Sequence, residues 1–208
     1  SIMPLKALNH QGAGLSSDLA AAIHYAVEHG AQVLNNSWGS YESSSLIEEA
    51  VAEAVAKNRI VVAAAGNAGA DLDVFPSFPA SWPGVITVAA TTPLEAKAWF
   101  SNWGPRVDVA APGEDILSCR AAGTDFRNNS SQAQSRHIVN DRYYRADGTS
   151  MASPHVAGVA ALLRAAMPEA TAASLGDRLR FTADALPFAF TTGMGWGRVN
   201  AARALTED

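Results

Sequence analysis

Short apolar, β-branched runs alternate along this chain with stretches whose apolar residues return every three to four positions. The runs cover residues 2–8, 32–36, 60–65 and 85–89, each of a length and composition that predicts a buried strand. Between the first two, Ser16 and Ser17 are placed to cap a helix that carries Leu19, Ile23, Ala26 and Val27 on one face and stops at Gly30. Between the next two, Ser45-Leu46-Ile47-Glu48 has the spacing of a capping box, followed by a stripe of Leu46, Ile47, Ala50, Val51, Ala54 and Val55. Further on, Val156, Ala160, Leu163 and Met167 predict a helix that ends at Pro168, with Pro154 accommodated in its first turn. Two shorter helices are expected near residues 172–182 and 198–205. Residues 120–145, poor in apolar side chains and containing Asn128-Asn129-Ser130-Ser131-Gln132, read as a long surface loop or insertion.

Strand, helix, strand, helix, strand in that order predicts an α/β domain with a mostly parallel sheet covered on both faces. Binding groups in such sheets gather beyond the carboxyl ends of the strands. Asn36-Ser37-Trp38-Gly39 follows one predicted strand and Gly66-Asn67 follows the next, so both turns are candidates for a site.

Composition narrows the function classes. The 208 residues are 48% hydrophobic and 17% charged, which fits one globular domain with a sizeable core. A formal net charge of -5 leaves no basic surplus to attract nucleic acid or an anionic membrane surface. No apolar run approaches the roughly 20 residues of a membrane-spanning helix. The single cysteine, Cys119, excludes a disulfide within the chain, carries no neighbouring Cys/His pattern and reads as a small buried hydrophobe.

The strongest chemical signal is Gly148-Thr149-Ser150-Met151-Ala152-Ser153-Pro154-His155-Val156-Ala157-Gly158. A serine at a helix start has a free N–H and sits at the positive end of the helix dipole, favourable for developing negative charge. By itself it would be only a helix cap. The second signal is Val61-Val62-Ala63-Ala64-Ala65-Gly66-Asn67, a buried strand that delivers an amide side chain, the kind of donor that stabilises a carbonyl oxygen as it becomes an oxyanion. The third is Val33-Leu34-Asn35-Asn36-Ser37-Trp38-Gly39, whose Trp38 lines a cleft or, alternatively, packs as a plain core aromatic.

The serine string resembles the nucleophile motif of the subtilases, and the resemblance extends over nearly all of the chain through Ile2-Met3-Pro4-Leu5-Lys6, Phe78-Pro79-Ala80, Val85-Ile86-Thr87-Val88-Ala89-Ala90, Phe100-Ser101-Asn102-Trp103-Gly104 and Val107-Asp108-Val109-Ala110-Ala111-Pro112-Gly113. It implies a three-layer subtilisin-like fold and a serine endopeptidase acting on polypeptides. Ser150 would be the nucleophile, and Asn67, with the backbone N–H of Ser150, the oxyanion hole. Ser37, Trp38 and Gly39 would pair with the substrate backbone as an added strand, and Ala64, Ala65 and Gly66 would form the facing wall. It further implies a cis bond before Pro79, an extracellular location, chemistry that needs no cofactor, and structural calcium for which no site is matched in this sequence.

Two family motifs do not occur: the Asp followed by Ser or Thr and Gly, and His-Gly-Thr-His. His29-Gly30-Ala31-Gln32 only imitates the second, with His29 at a helix end, and His10, His24, His137 and His155 belong to no base motif. The chain opens where family members are already past the histidine motif, so residues 1–208 are expected to be the later part of a catalytic domain, inactive alone, whose Asp and His lie in an upstream segment of the parent protein. An α/β-hydrolase elbow would need glycine where Ala152 stands. Sedolisins share a similar serine string but use an aspartate where Asn67 stands. A noncatalytic peptide-binding domain is the alternative from another class.

Overall fold

The computed structural model describes residues 1–120, 138–140, 142–186 and 193–207. Its centre is a four-stranded parallel sheet in the order β1-β2-β3-β4, formed by β1 (Val33–Asn36), β2 (Ile60–Ala64), β3 (Val85–Thr91) and β4 (Val109–Pro112). The register sets Asn36 beside Ala63 and Ala64 beside Val88, so the carboxyl ends of β1 and β2 leave the sheet next to each other.

Every residue of β2 is buried, and the pleat divides them between two layers. Ile60 and Val62 face a core shared with α3 (Thr149–Ala166), α4 (Ala172–Phe181) and α5 (Ala201–Thr206). Val61 and Ala63 face the other core, under α1 (Ser16–Glu28) and α2 (Ser45–Ala56). Strands covered on both faces need continuous apolar runs, which is why residues 60–64 lack alternation. The three-layer subtilisin-like architecture is thus present.

Several expectations are corrected. Residues 2–8 form no strand, and Ile2 is 93% exposed. An apolar run becomes a strand only where a neighbouring strand takes its backbone groups; here only Ala7 and Leu8 pack on the core. Ser16 is the first residue of α1 and Leu15 its N-cap; Ser44, not Ser45, is the N-cap of α2, so the capping box is out of register by one residue and makes no side-chain cap bond. Leu46 is consequently exposed and Val55 half-buried, while Ile47, Ala50, Val51 and Ala54 form the stripe. The last helix begins at Ala201, after an Asn200 cap, and not at Arg198.

The segment 120–145 is not loop throughout. Its described end supplies β6 (Ile138–Val139) and β7 (Tyr143–Ala146), which join β5 (Ile116–Cys119) in an antiparallel sheet of order β5-β7-β6. Residues 121–137, including Asn128 to Gln132 and His137, lie outside the described residues. Cys119 is exposed, not buried, because β5 belongs to this outlying sheet.

Candidate active site

The cleft opens where β1 and β2 end and α3 begins. Gly148 is the N-cap of α3, with φ 153°. A helix leaves the N–H groups of its first turn without intrahelical acceptors. Asn67, at the end of β2, takes one of them: its Oδ1 accepts from the Thr149 N–H at 2.8 Å and from the Thr149 hydroxyl at 2.9 Å. Thr149 Oγ1 in turn accepts from the Gly66 N–H at 3.1 Å. With two donors on Oδ1, the amide is oriented, and its Nδ2 is left to point elsewhere. A Cβ built on Gly148 would lie 3.6 Å from Nδ2, so this free end faces the start of α3. Among the described residues, neither Asn67 Nδ2 nor the Ser150 N–H has a hydrogen-bond acceptor. Two unused donors therefore stand at the mouth of one cleft.

Ser150 is the second residue of α3, and Pro154 stands four residues later, in the second turn of the helix rather than the first. Proline lacks the N–H that would bond to the Ser150 carbonyl. Ser37 fills the gap: its hydroxyl donates to the Ser150 carbonyl at 2.8 Å, and the Ser150 hydroxyl donates to the Ser37 carbonyl at 3.1 Å. Asn35 extends this link, donating from Nδ2 to Ser37 Oγ at 3.0 Å and accepting from Ser153 Oγ at 2.7 Å. The end of β1 and the first turns of α3 are thereby tied side chain by side chain.

The cleft beside these groups has a volume of about 190 Å³. It is lined by Trp38, Gly39, Ser40 and Tyr41, by Ala64, Gly66 and Asn67, and by Ser77, Thr149 and Ser150. Both readings of Trp38 hold, since it lines the cleft and also packs on the core beneath α1 and α2. Among the described residues, no hydrogen bond engages the backbone of Trp38 or Gly39. Ala65 lies behind the wall, fully buried; its N–H is bonded to Val88 and its carbonyl to Asn102. The peptide bond between Phe78 and Pro79 is cis, and Ser40 exchanges backbone bonds with Phe78 at 2.9 and 2.8 Å against the cleft strand.

Histidine contacts lie elsewhere: His24 pairs with Glu53, and the rings of His29 and His155 bond to the carbonyls of Tyr25 and Met151. Among the described residues, no group of three or more His, Cys, Asp and Glu side chains is placed to hold a metal ion. No helix among them is long and apolar enough to cross a membrane. Sequence reasoning assigned no role to Thr149, Ser77 or Asn102, although the first and last stand inside strings it had singled out.

A serine at a helix start, an oriented amide at a strand end and an open cleft beside them stand together at the carboxyl ends of a parallel α/β sheet. Residues 1–197 match the subtilase family, to which the chain belongs. It is 41% identical over 217 aligned positions to an extracellular protease of Xanthomonas campestris pv. campestris, covering 99% of this chain and 35% of that protein. It is 39% identical over 205 positions to a thermophilic serine proteinase of Bacillus sp. strain AK1, covering 99% of this chain and 45% of that one. The chain thus spans less than half the length of these two relatives. Among solved structures, a lanthipeptide protease superimposes with a TM-score of 0.84 at 28% identity, over 99% of this chain and 69% of its own.

Proposed function

We propose that the parent protein is a serine endopeptidase that cuts polypeptides through an acyl-enzyme on Ser150. The observation that carries this reading is the pair of unused donors, Asn67 Nδ2 and the Ser150 N–H, beside the Ser150 hydroxyl in a cleft of about 190 Å³. Ser150 Oγ attacks the carbonyl carbon of the scissile bond while a histidine takes its proton and later passes it to the leaving amine; water then releases the acyl group by the same route. The two donors hold the oxyanion of each tetrahedral intermediate. Trp38 and Gly39 offer backbone groups to an extended substrate, which adds to the cleft as a strand.

The histidine and the aspartate that orients it come, on this reading, from an upstream segment of the parent protein. The chemistry needs no cofactor. An extracellular setting follows from the family and from relatives such as the Xanthomonas extracellular protease. In the absence of the upstream groups, the cleft would hold peptides without cutting them, and the Ser150 hydroxyl keeps its proton, donated in a hydrogen bond to the Ser37 carbonyl.

The test compares the 208-residue chain with the parent protein. Labelling of Ser150 by a fluorophosphonate and hydrolysis of a peptide anilide should be fast in the parent and negligible in the isolated chain. Asn67→Ala in the parent should reduce turnover by about 10²- to 10³-fold with little change in KM, the size known for such a donor in subtilisin itself. Equal labelling of both forms would mean that a histidine of this chain serves as base; turnover unchanged by Asn67→Ala would remove Asn67 from the mechanism.

A further inference from the structure

Asn102 lies on the segment that follows β3, fully buried, and its side-chain amide and backbone N–H all bond to the stretch of chain that carries Asn67. Its Nδ2 donates to the Ala65 carbonyl at 2.9 Å; its Oδ1 accepts from the Ala68 N–H and from the Ala70 N–H, both at 3.0 Å; its backbone N–H donates to the Gly66 carbonyl at 2.9 Å. One residue thus grips two positions before Asn67 and two after it. The fit leaves no slack: a Cβ on Gly66 would come within 2.4 Å of Asn102 Nδ2. The clamp is itself anchored. Ser101 Oγ donates to the Asn102 carbonyl at 2.9 Å and accepts from the Ala90 N–H at 2.9 Å, which fastens it to the end of β3. Thr149 orients the amide of Asn67 from the α3 side and holds one neighbouring backbone group, the Gly66 N–H, whereas Asn102 holds groups on both sides of Asn67.

We propose that Asn102 is a positioning residue for the oxyanion hole, setting where the Asn67 backbone lies and so where Nδ2 meets the developing charge. The proposal rests on the reading of Asn67 as the oxyanion donor. An electrostatic donor works only if it is preorganised, and a misplacement of about 1 Å is worth about as much as two orders of magnitude in rate. Without the Asn102 amide, the Ala65 carbonyl and the N–H groups of Ala68 and Ala70 lose their partners, and the loop must shift to find others.

The experiment is a double-mutant cycle in the parent protein, read with a peptide anilide. Asn102→Ala should lower kcat at least about tenfold with KM within about threefold. In the Asn67→Ala background, the same change should lower kcat by less than about threefold, because the group it positions is already gone. A merely structural role would reduce kcat by the same factor in both backgrounds, and that result, or an unchanged kcat, overturns the proposal. Should Asn102→Ala not fold, the cycle is run with Asn102→Asp, which keeps an oxygen to accept from Ala68 and Ala70 and replaces the donor to Ala65 with a carboxyl oxygen. If Asn67→Ala alone leaves kcat intact, the oxyanion reading fails and takes this proposal with it. A full loss for Asn67→Ala with an additive effect at Asn102 overturns the positioning role alone.

Discussion

Ser37 and Ser150 exchange hydrogen bonds, the hydroxyl of each donating to the carbonyl of the other, at 2.8 and 3.1 Å. Pro154 makes the first of these necessary, since the Ser150 carbonyl has no N–H four residues ahead to accept from. Ser37→Ala should therefore cost about 1 kcal/mol of stability, the ordinary worth of a part-buried hydrogen bond. If Pro154 is the reason, then Pro154→Ala, which restores an N–H to that place, should shrink the cost. Denaturant midpoints of the four proteins of this cycle give the coupling; strict additivity would disprove the link.

Gly66→Ala should disrupt the oxyanion loop. Its φ of 105° is a conformation that a side chain rarely adopts, and its Cβ would meet Asn102 Nδ2 at 2.4 Å. The backbone alone should cost about 1–3 kcal/mol, and relief of the clash must displace either Asn102 or Asn67. Stability and turnover should fall together, and a variant with wild-type denaturation and wild-type kcat would contradict the geometry.

Cleavage should follow uncharged, bulky side chains. The cleft of about 190 Å³ is lined by Trp38, Tyr41, Ala64, glycines and Ser77, with no acidic side chain among the described residues to pair with a Lys or Arg. A peptide-library profile of the parent protein reads this directly. Dominant cleavage after Lys or Arg would show that another part of the protein shapes the pocket.

Acid should weaken the carboxy-terminal end of the fold through Asp184. Hydrogen bonds from Arg198 and Asn200, with Arg203 adding to them, hold its carboxyl below the usual carboxylate range. An acid depressed in the folded state contributes stability above its unfolded pKa, about 3.9, and loses it as pH falls through the folded value. Asp184→Asn should lower Tm at pH 7, and the gap from the unmodified protein should close as pH drops below about 4. A gap that stays constant from pH 7 to pH 3 would refute this assignment.

What the sequence determined by itself was local and periodic. The apolar run at 60–64 declared a doubly covered strand, the 3.6-residue stripes declared α1, α2 and α3, and the serine string with Ala-Gly-Asn marked both chemical groups and the family. These signals lie within one element or one turn, where a residue's neighbours in sequence are its physical environment. Residues 2–8 show the limit: their composition favours a strand, yet a strand is a pairing, and composition cannot name the partner. Only the tertiary structure decided which donors remain unused. That Asn67 presents Nδ2 depends on Thr149, 82 positions away; that the Ser150 carbonyl is satisfied depends on Ser37, 113 positions away; that the Asn67 loop is held depends on Asn102, more than 30 positions away. Hydrogen-bond partners so far apart in sequence leave no period or spacing to read, because chain packing, and not local propensity, brings them within 3 Å.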